Sequence, residues 1–379
     1  MSRHAFAPPE SPRREDPLLS VRDLKVHFFM DEGIVRAVDG ISFDVFPGQV
    51  FGIVGESGCG KSVAMKAILR IVEPPGRIVS GQILLRRPLV HLDRTPQVGP
   101  RGGTGQERDG AAGEIVQDLA ALDPGGRQMR SIRGAEIALI PQEPMAAFSP
   151  VHSVGDQITE AITLHQAVGG KAARRIADEL SREVGIPAPE SRLDDYSWQL
   201  SGGLRQRAII AMALSCNPRL LIADEPTTAV DVTTQAQVLR LLGRLQRERN
   251  GAIIFITHDL GVIAQMADHV MVMYLGQVME QGPVDEIFHA AKHPYTQALL
   301  RSIPSVRSTP RVTLPTISGS LPHPFNRPRG CPFHPRCPQF MPGRCDRVIP
   351  QLRPVAGGHL VSCLLYEEDE VAPRPEGGS

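Results

Sequence analysis

The stretch Val50-Phe51-Gly52-Ile53-Val54, running into Gly55-Glu56-Ser57-Gly58-Cys59-Gly60-Lys61-Ser62, decides how the rest of the chain is read. Its first part has the length and apolar character of a strand buried on both faces. The second part fits G-x-x-x-x-G-K-[ST], and an amphipathic helix is predicted over about 62–71. Glycines at these positions let backbone N–H groups close around phosphate oxygens, and the helix N-terminus adds a favourable dipole. Gly55, Ser57, Gly58 and Gly60 are therefore expected to line a phosphate cradle. Lys61 would reach the β- and γ-phosphates of a nucleotide, and the Ser62 hydroxyl would bind Mg²⁺. Short Gly-rich patterns recur by chance, but the strand before and the helix after make this one specific. Cys59 is a loop filler.

Working outward, alternation at Leu19, Val21, Leu24, Val26 and Phe28, and again at Ile41, Phe43 and Val45, predicts two half-buried strands. The turn pair Pro47-Gly48 ends the second. Apolar runs at 137–140, 220–223, 253–256 and 270–273 read as buried strands, with helical patterns at 202–214 and 234–249. Strands alternating with helices imply an α/β fold with a mainly parallel sheet and flanking helices. The early alternating strands are expected as a small antiparallel β subdomain at one side. Residues 86–113, rich in Gly, Pro and Arg, read as a flexible surface insertion, and residues 1–17 as a disordered tail. The main domain is expected over 18–303 and a Pro-rich extension over 304–379, with no internal repeat.

The chain has 379 residues, with 41 basic and 41 acidic side chains. That balance points away from nucleic acid, whose binders carry a basic footprint. No apolar run approaches the about 20 residues that a membrane-spanning helix needs. The first residues lack the apolar core of a secretory signal, so a cytoplasmic chain is expected.

The strand at 220–223 ends in Asp224-Glu225. An acid at such a tip, beside a P-loop, can complete an Mg²⁺ shell, and the next carboxylate is placed to polarise an attacking water. Without a P-loop the same pair would read as a helix N-cap and its neighbour. Leu200-Ser201-Gly202-Gly203-Leu204-Arg205-Gln206 then resembles the signature motif of ABC ATPases. By itself Ser201-Gly202-Gly203 reads as a helix N-cap and turn, and the two readings are compatible. With the P-loop and the Asp-Glu strand, the motif places the chain with that family over about 18–304, interrupted by 86–113.

The resemblance implies further roles in chain order. Phe28 matches the aromatic residue that stacks on adenine, with His27 and Phe29 as neighbours in contention. Gln142, in Pro141-Gln142-Glu143-Pro144, matches the glutamine that reaches Mg²⁺ and reports to membrane subunits. Asp231 matches a loop crossing a dimer interface, and His258 a switch histidine contacting the γ-phosphate. Ser201, Gly202 and Gly203 match a helical signature subdomain that grips ATP held on another subunit. A second ABC ATPase chain, in a heterodimer, is therefore expected.

Of six cysteines, Cys331, Cys337, Cys345 and Cys363 crowd the extension. A reducing cytoplasm makes a metal the better explanation than disulfides. Their separations of five, seven and seventeen residues are wider than zinc knuckles use. His293-Pro294-Tyr295-Thr296-Gln297-Ala298-Leu299-Leu300 and Gly330-Cys331-Pro332-Phe333-His334-Pro335-Arg336-Cys337-Pro338 resemble the C-terminal region of the oligopeptide and dipeptide transporter ATPases. That resemblance implies a small metal-binding extension holding a [4Fe–4S] cluster, with structural Zn²⁺ and, behind it, four free thiols as the alternatives. His293, His323, His334 and His359 are expected behind the ligands or on the surface, and Trp198 in packing. It also implies uptake of dipeptides or oligopeptides, with nickel, opines or oligosaccharides carried by relatives. The expected partners are two transmembrane permeases and an extracytoplasmic solute-binding protein, placing the chain peripherally on the cytoplasmic face of the inner membrane. A soluble ABC ATPase of translation or repair would carry two cassettes or an inserted coiled coil, and residues 86–113 hold too many Gly and Pro for one. A metal-sensing regulator would leave the ATPase motifs without a purpose.

Overall fold

The computed structural model describes residues 16–88, 113–143, 147–227, 231–303, 317, 319–356 and 358–367. The core of the N-terminal disordered-tail expectation and most of the predicted insertion lie outside these residues.

Strand β3 (Val50–Val54) is buried at every position and lies inside an eight-stranded sheet. It pairs in parallel with β8 (Ala252–Ile256) and β9 (His269–Tyr274). Parallel pairing continues through β7 (Leu220–Asp224) to β6 (Ile137–Ile140). Strands covered on both faces must be apolar throughout, which is why these segments show as unbroken runs in the sequence. Antiparallel partners extend the other side: β10 (Gln277–Pro283), then β12 (His359–Val361) and β11 (Arg353–Val355).

A second sheet has the order β2-β1-β4-β5 and is antiparallel. Its strands are β1 (Leu19–Met30), β2 (Gly33–Val45), β4 (Gly76–Pro88) and β5 (Glu114–Asp118). Val21, Leu24, Val26, Val38 and Ile41 point inward and share a core with α1 (Lys61–Ile68) and one face of the main sheet. This is the side subdomain that alternation predicts.

The opposite face carries the larger core. After the short α2 (Arg127–Ile132) come α3 (Val154–His165), α4 (Gly170–Glu183), α5 (Pro189–Arg192) and α6 (Gly202–Leu214). Ile158, Ile162, Ala173 and Ala177 are fully buried where α3 and α4 meet that core. Ser153 caps α3 by accepting from the Asp156 N–H at 3.1 Å, which satisfies a backbone donor the helix leaves open. Then follow α7 (Val232–Arg249), α8 (Leu260–Met266), α9 (Val284–Ala290) and α10 (Pro294–Arg301). None of the described helices is long and apolar enough to cross a membrane.

Three expectations change. Residues 86–88 belong to β4 rather than to an insertion, and Arg87 is buried on Glu136. The extension does not stand apart: β12 pairs with β10, and Phe333, Val361 and Leu364 are buried in the body of the protein. Its few large apolar residues are all the anchorage that a strand added to an existing sheet requires. Trp198 is 58% exposed and stacks on Tyr196 at 5.8 Å, so it does not serve packing.

The Arg87 guanidinium reaches Glu136 with Nε at 3.0 Å from both carboxylate oxygens, and Nη1 bonds Gln117. Removing one partner of a buried pair strands a charge, while apolar replacement of both removes the need for either. Arg87→Met is expected to lower the unfolding free energy by about 3–5 kcal/mol in urea titration, with Glu136→Leu added recovering most of it. A loss under about 1 kcal/mol for Arg87→Met would show that the pair behaves as a surface one.

Candidate active site

The loops that matter follow the C-terminal ends of β3, β6, β7 and β8, the edge where open parallel sheets collect ligands. The loop after β3 holds its shape through backbone approaches that only glycine permits. A side chain on Gly55 (φ 155°) would strike the Met273 carbonyl, and one on Gly60 (φ 100°) the Ala37 carbonyl. Gly58 faces open space and Ser57 is exposed, so the mouth of the loop stays clear. Lys61 is buried, and its Nζ donates to the carbonyls of Gly55 at 2.8 Å and Glu56 at 3.1 Å. Three donors on one ammonium leave it able to exchange these carbonyls for phosphate oxygens.

Ser62, in the first turn of α1, donates its hydroxyl to Asp224 Oδ1 at 3.0 Å. Asp224 ends β7 and is 8% exposed. Burial pushes its carboxyl above the usual range, the Ser62 hydrogen bond pulls it down, Glu225 pushes it up again and Lys61 lowers it. A partly desolvated carboxylate beside a hydroxyl is a hard-oxygen donor set of the kind Mg²⁺ takes.

Glu225 sits at φ 46°, a left-handed backbone unusual for a glutamate, and its N–H donates to Ile256 O at 2.9 Å. Strain of this kind concentrates at working sites. Gln142, two residues beyond β6, donates from Nε2 to Glu225 Oε2 at 3.1 Å. His258, two residues beyond β8, places Nδ1 3.3 Å from Glu225 Oε1. Three separate strand ends thus converge on one carboxylate. The His258 side chain is 60% exposed while that of Glu225 is 10% exposed, so the histidine forms the solvent side of the cluster.

The remaining candidates lie elsewhere. Ser201 caps α6, accepting from the Leu204 N–H at 3.4 Å; Gly202 faces open space. Gly203 packs beside Thr234, whose hydroxyl bonds Asp231 at 2.7 Å. Asp231 also caps α7 through the Thr234 N–H at 2.9 Å, so the signature and the Asp231 loop form one neighbourhood. Phe28 is half-buried on β1 against Gly76 and Val72. Its neighbour Phe29 lies on the opposite face under the Arg77 guanidinium, 4.1 Å from the ring centre.

Sequence reasoning missed the residues that hold this machinery. Asp259 accepts from the N–H groups of Gly261 (2.8 Å) and Val262 (3.3 Å), which fixes the turn carrying His258. An acid just before a helix start is a capping signal that could have found it. Tyr295 of α10 and Arg336 of the extension reach the P-loop, and no local pattern announces that.

Cys331, Cys337, Cys345 and Cys363 line one small cavity together with His293 and His334. Burial, with the neighbouring sulfurs adding to it, pushes the Cys331 thiol up to about 12 and the Cys363 thiol up to about 11. No group of three or more His, Cys, Asp or Glu among the described residues stands close enough to hold a metal ion. The four thiols expected to form a metal centre thus gather around one space without a preassembled ligand set among the described residues. Two of the histidines are also more deeply placed than expected. His359 is fully buried 2.9 Å from Glu280, and burial lowers His293 to about 3.

The ABC transporter family model matches residues 38–228, and that of the oligopeptide/dipeptide transporter C-terminal region matches 279–345. A probable peptide ABC transporter ATP-binding protein of Sinorhizobium fredii is 43% identical, over 95% of this chain and 98% of its own. The dipeptide transport ATP-binding protein DppD of Escherichia coli is 44% identical, over 94% and 99%. The oligopeptide transport ATP-binding protein AppD of Bacillus subtilis is 42% identical, over 93% and 98%. A dimeric bacterial ABC transporter cassette shares the fold, with a TM-score of 0.56 at 22% identity over 70% of this chain and 98% of that one. With a P-loop, an acid-tipped strand and a matched extension on one sheet, this chain belongs to the ATP-hydrolysing subunits of ABC transporters, in the branch that carries the oligopeptide/dipeptide C-terminal region.

Proposed function

We propose that the chain energises uptake of dipeptides or oligopeptides by hydrolysing ATP at the cytoplasmic face of the membrane. The convergence of Gln142 and His258 on Glu225, beside the Ser62–Asp224 pair, carries the reading. Lys61 and the loop 55–60 bind the triphosphate, and Phe28 stacks on the base. Ser62, Asp224 and Gln142 would hold Mg²⁺, which supplies charge neutralisation at the phosphate oxygens. Glu225 orients and polarises the attacking water, and His258 meets the terminal phosphate. Ser201, Gly202, Gly203 and Asp231 serve a nucleotide bound on a second ATPase chain.

Peptide as cargo is supported by the match over 279–345 and by relatives named for peptide transport. Permease partners suit the exposed Val151 (72%), Trp198 (58%) and Tyr196 (39%), apolar surface brought together where Ser153 bridges Tyr196. A solute-binding protein would select the cargo outside the cell.

The four cysteines are proposed to hold a [4Fe–4S] cluster. Their shared cavity supports this. One ion draws its ligands to a point, whereas a four-iron cluster takes one thiolate at each corner. Bound iron would also supply the positive charge that lets buried thiols ionise.

Glu225→Gln is expected to cut ATP turnover in the assembled transporter by about 10²–10⁴-fold while nucleotide stays bound. Turnover at the wild-type rate from a site that depends on Glu225 would reject the role. Protein purified without oxygen should contain about four iron and four sulfide per chain. Stoichiometric zinc without iron would replace the cluster by a structural zinc site.

A further inference from the structure

Glu56 is the second residue of the phosphate loop, held by its backbone from α10 and by its side chain from the extension. Its N–H donates to the Tyr295 hydroxyl at 3.1 Å. Its carboxylate is gripped by Arg336, with Nη1 2.7 Å from Oε2 and Nη2 3.0 Å from Oε1. The Arg336 side chain is only 5% exposed, and Nη1 also donates to Tyr274 Oη at 3.3 Å. Two parallel bonds between guanidinium and carboxylate fix direction as well as distance.

The fork is itself firmly mounted. Arg336 ends the short turn His334–Arg336, one residue before Cys337. Phe333, just before that turn, packs with its ring 5.4 Å from Tyr274 and 5.2 Å from Tyr295, and the two tyrosines lie 4.8 Å apart. Tyr274 ends β9, the strand beside β3. The Glu56 carbonyl in turn accepts from Lys61 Nζ at 3.1 Å. A chain of contacts therefore runs from the turn between two cysteines, through Glu56, to the lysine of the phosphate loop.

Glu56 poses an electrostatic problem that Arg336 solves. A carboxylate one residue inside a phosphate cradle repels the triphosphate, and partial burial of the pair leaves that repulsion poorly screened. We propose that Arg336 is a positioning residue of the ATP site: from the extension it neutralises Glu56 and holds the phosphate loop in its binding shape. Arg336 touches no phosphate in this role and acts through Glu56 alone. The proposal rests on the P-loop as the nucleotide site, and it gives the extension a direct part in ATP affinity.

The test is equilibrium binding of the non-hydrolysable analogue AMP-PNP to the full chain. Arg336→Met is expected to weaken binding about tenfold, because it leaves Glu56 charged and unpaired. Arg336→Lys keeps the charge without the fork and should fall between that variant and wild type. The decisive arm is Arg336→Met with Glu56→Gln: removing the stranded charge should bring binding back to within about threefold of wild type. A merely structural arginine would give no such rescue. Binding by Arg336→Met equal to wild type, or a double variant as weak as the single, overturns the proposal. Should Arg336→Met fail to fold, Arg336→Lys and the double variant decide, and wild-type affinity in Arg336→Lys overturns it. Lys61→Ala separates the two ideas: undiminished binding there would overturn the P-loop reading itself.

Discussion

The structure depends on holding the phosphate loop still without occupying the N–H groups that bind phosphate. The backbone N–H groups that meet phosphate oxygens must stay free, so the loop is fixed from its other sides and through the Glu56 N–H, which the Tyr295 hydroxyl accepts. Gly55 lies flush against the Met273 carbonyl at the end of β9, and Gly60 against Ala37 of the antiparallel sheet. Tyr295 of α10 and Arg336 of the extension fasten Glu56. Each of these supports comes from a different part of the chain, and each meets the loop because β3 lies inside the sheet. A loop on an edge strand could not be reached from both sides.

The same logic places the acidic cluster. Asp224 and Glu225 are adjacent in sequence but face different tasks, because the left-handed turn at Glu225 aims its carboxylate away from Ser62. Gln142 and His258 then find the same carboxylate from neighbouring strand ends. Four parallel strands ending side by side bring each of these groups within hydrogen-bond distance of Asp224 or Glu225 although they are far apart in the sequence. Such convergence needs no specific sequence pattern beyond correct strand order.

The extension is built economically. A two-stranded addition, β11 and β12, uses the open edge of β10 as its template and so requires little core of its own. The buried pair of His359 with Glu280 locks that addition, since Glu280 also accepts from the N–H groups of Lys292 and His293. With its backbone secured in this way, the turn 331–337 can present cysteines on one side and Arg336 on the other.

Local chemistry determined much of this protein in advance. Strands buried on both faces had to read as apolar runs, and 137–140 and 202–214 match β6 and α6 residue for residue. A phosphate cradle needs glycines and a lysine at set spacing, so the loop 55–62 announced itself and made Asp224 and Glu225 candidates, while Gln142 and His258 followed only from the family resemblance. What no local pattern carried were contacts between distant segments. Arg87 looked like part of a loose basic stretch, because its partner Glu136 lies 49 residues away. His359 and His293 could be placed only behind the cysteines or on the surface, because a completed sheet and helix are what bury them. Trp198 looked like a packing residue, because nothing in the sequence says that its side of the helical lobe is exposed. The tie from Arg336 to Glu56 spans 280 residues, and charge complementarity at that separation acts only after the chain has folded. Periodicity and motif spacing record what each segment needs from its neighbours; which neighbours it receives was decided by the tertiary structure.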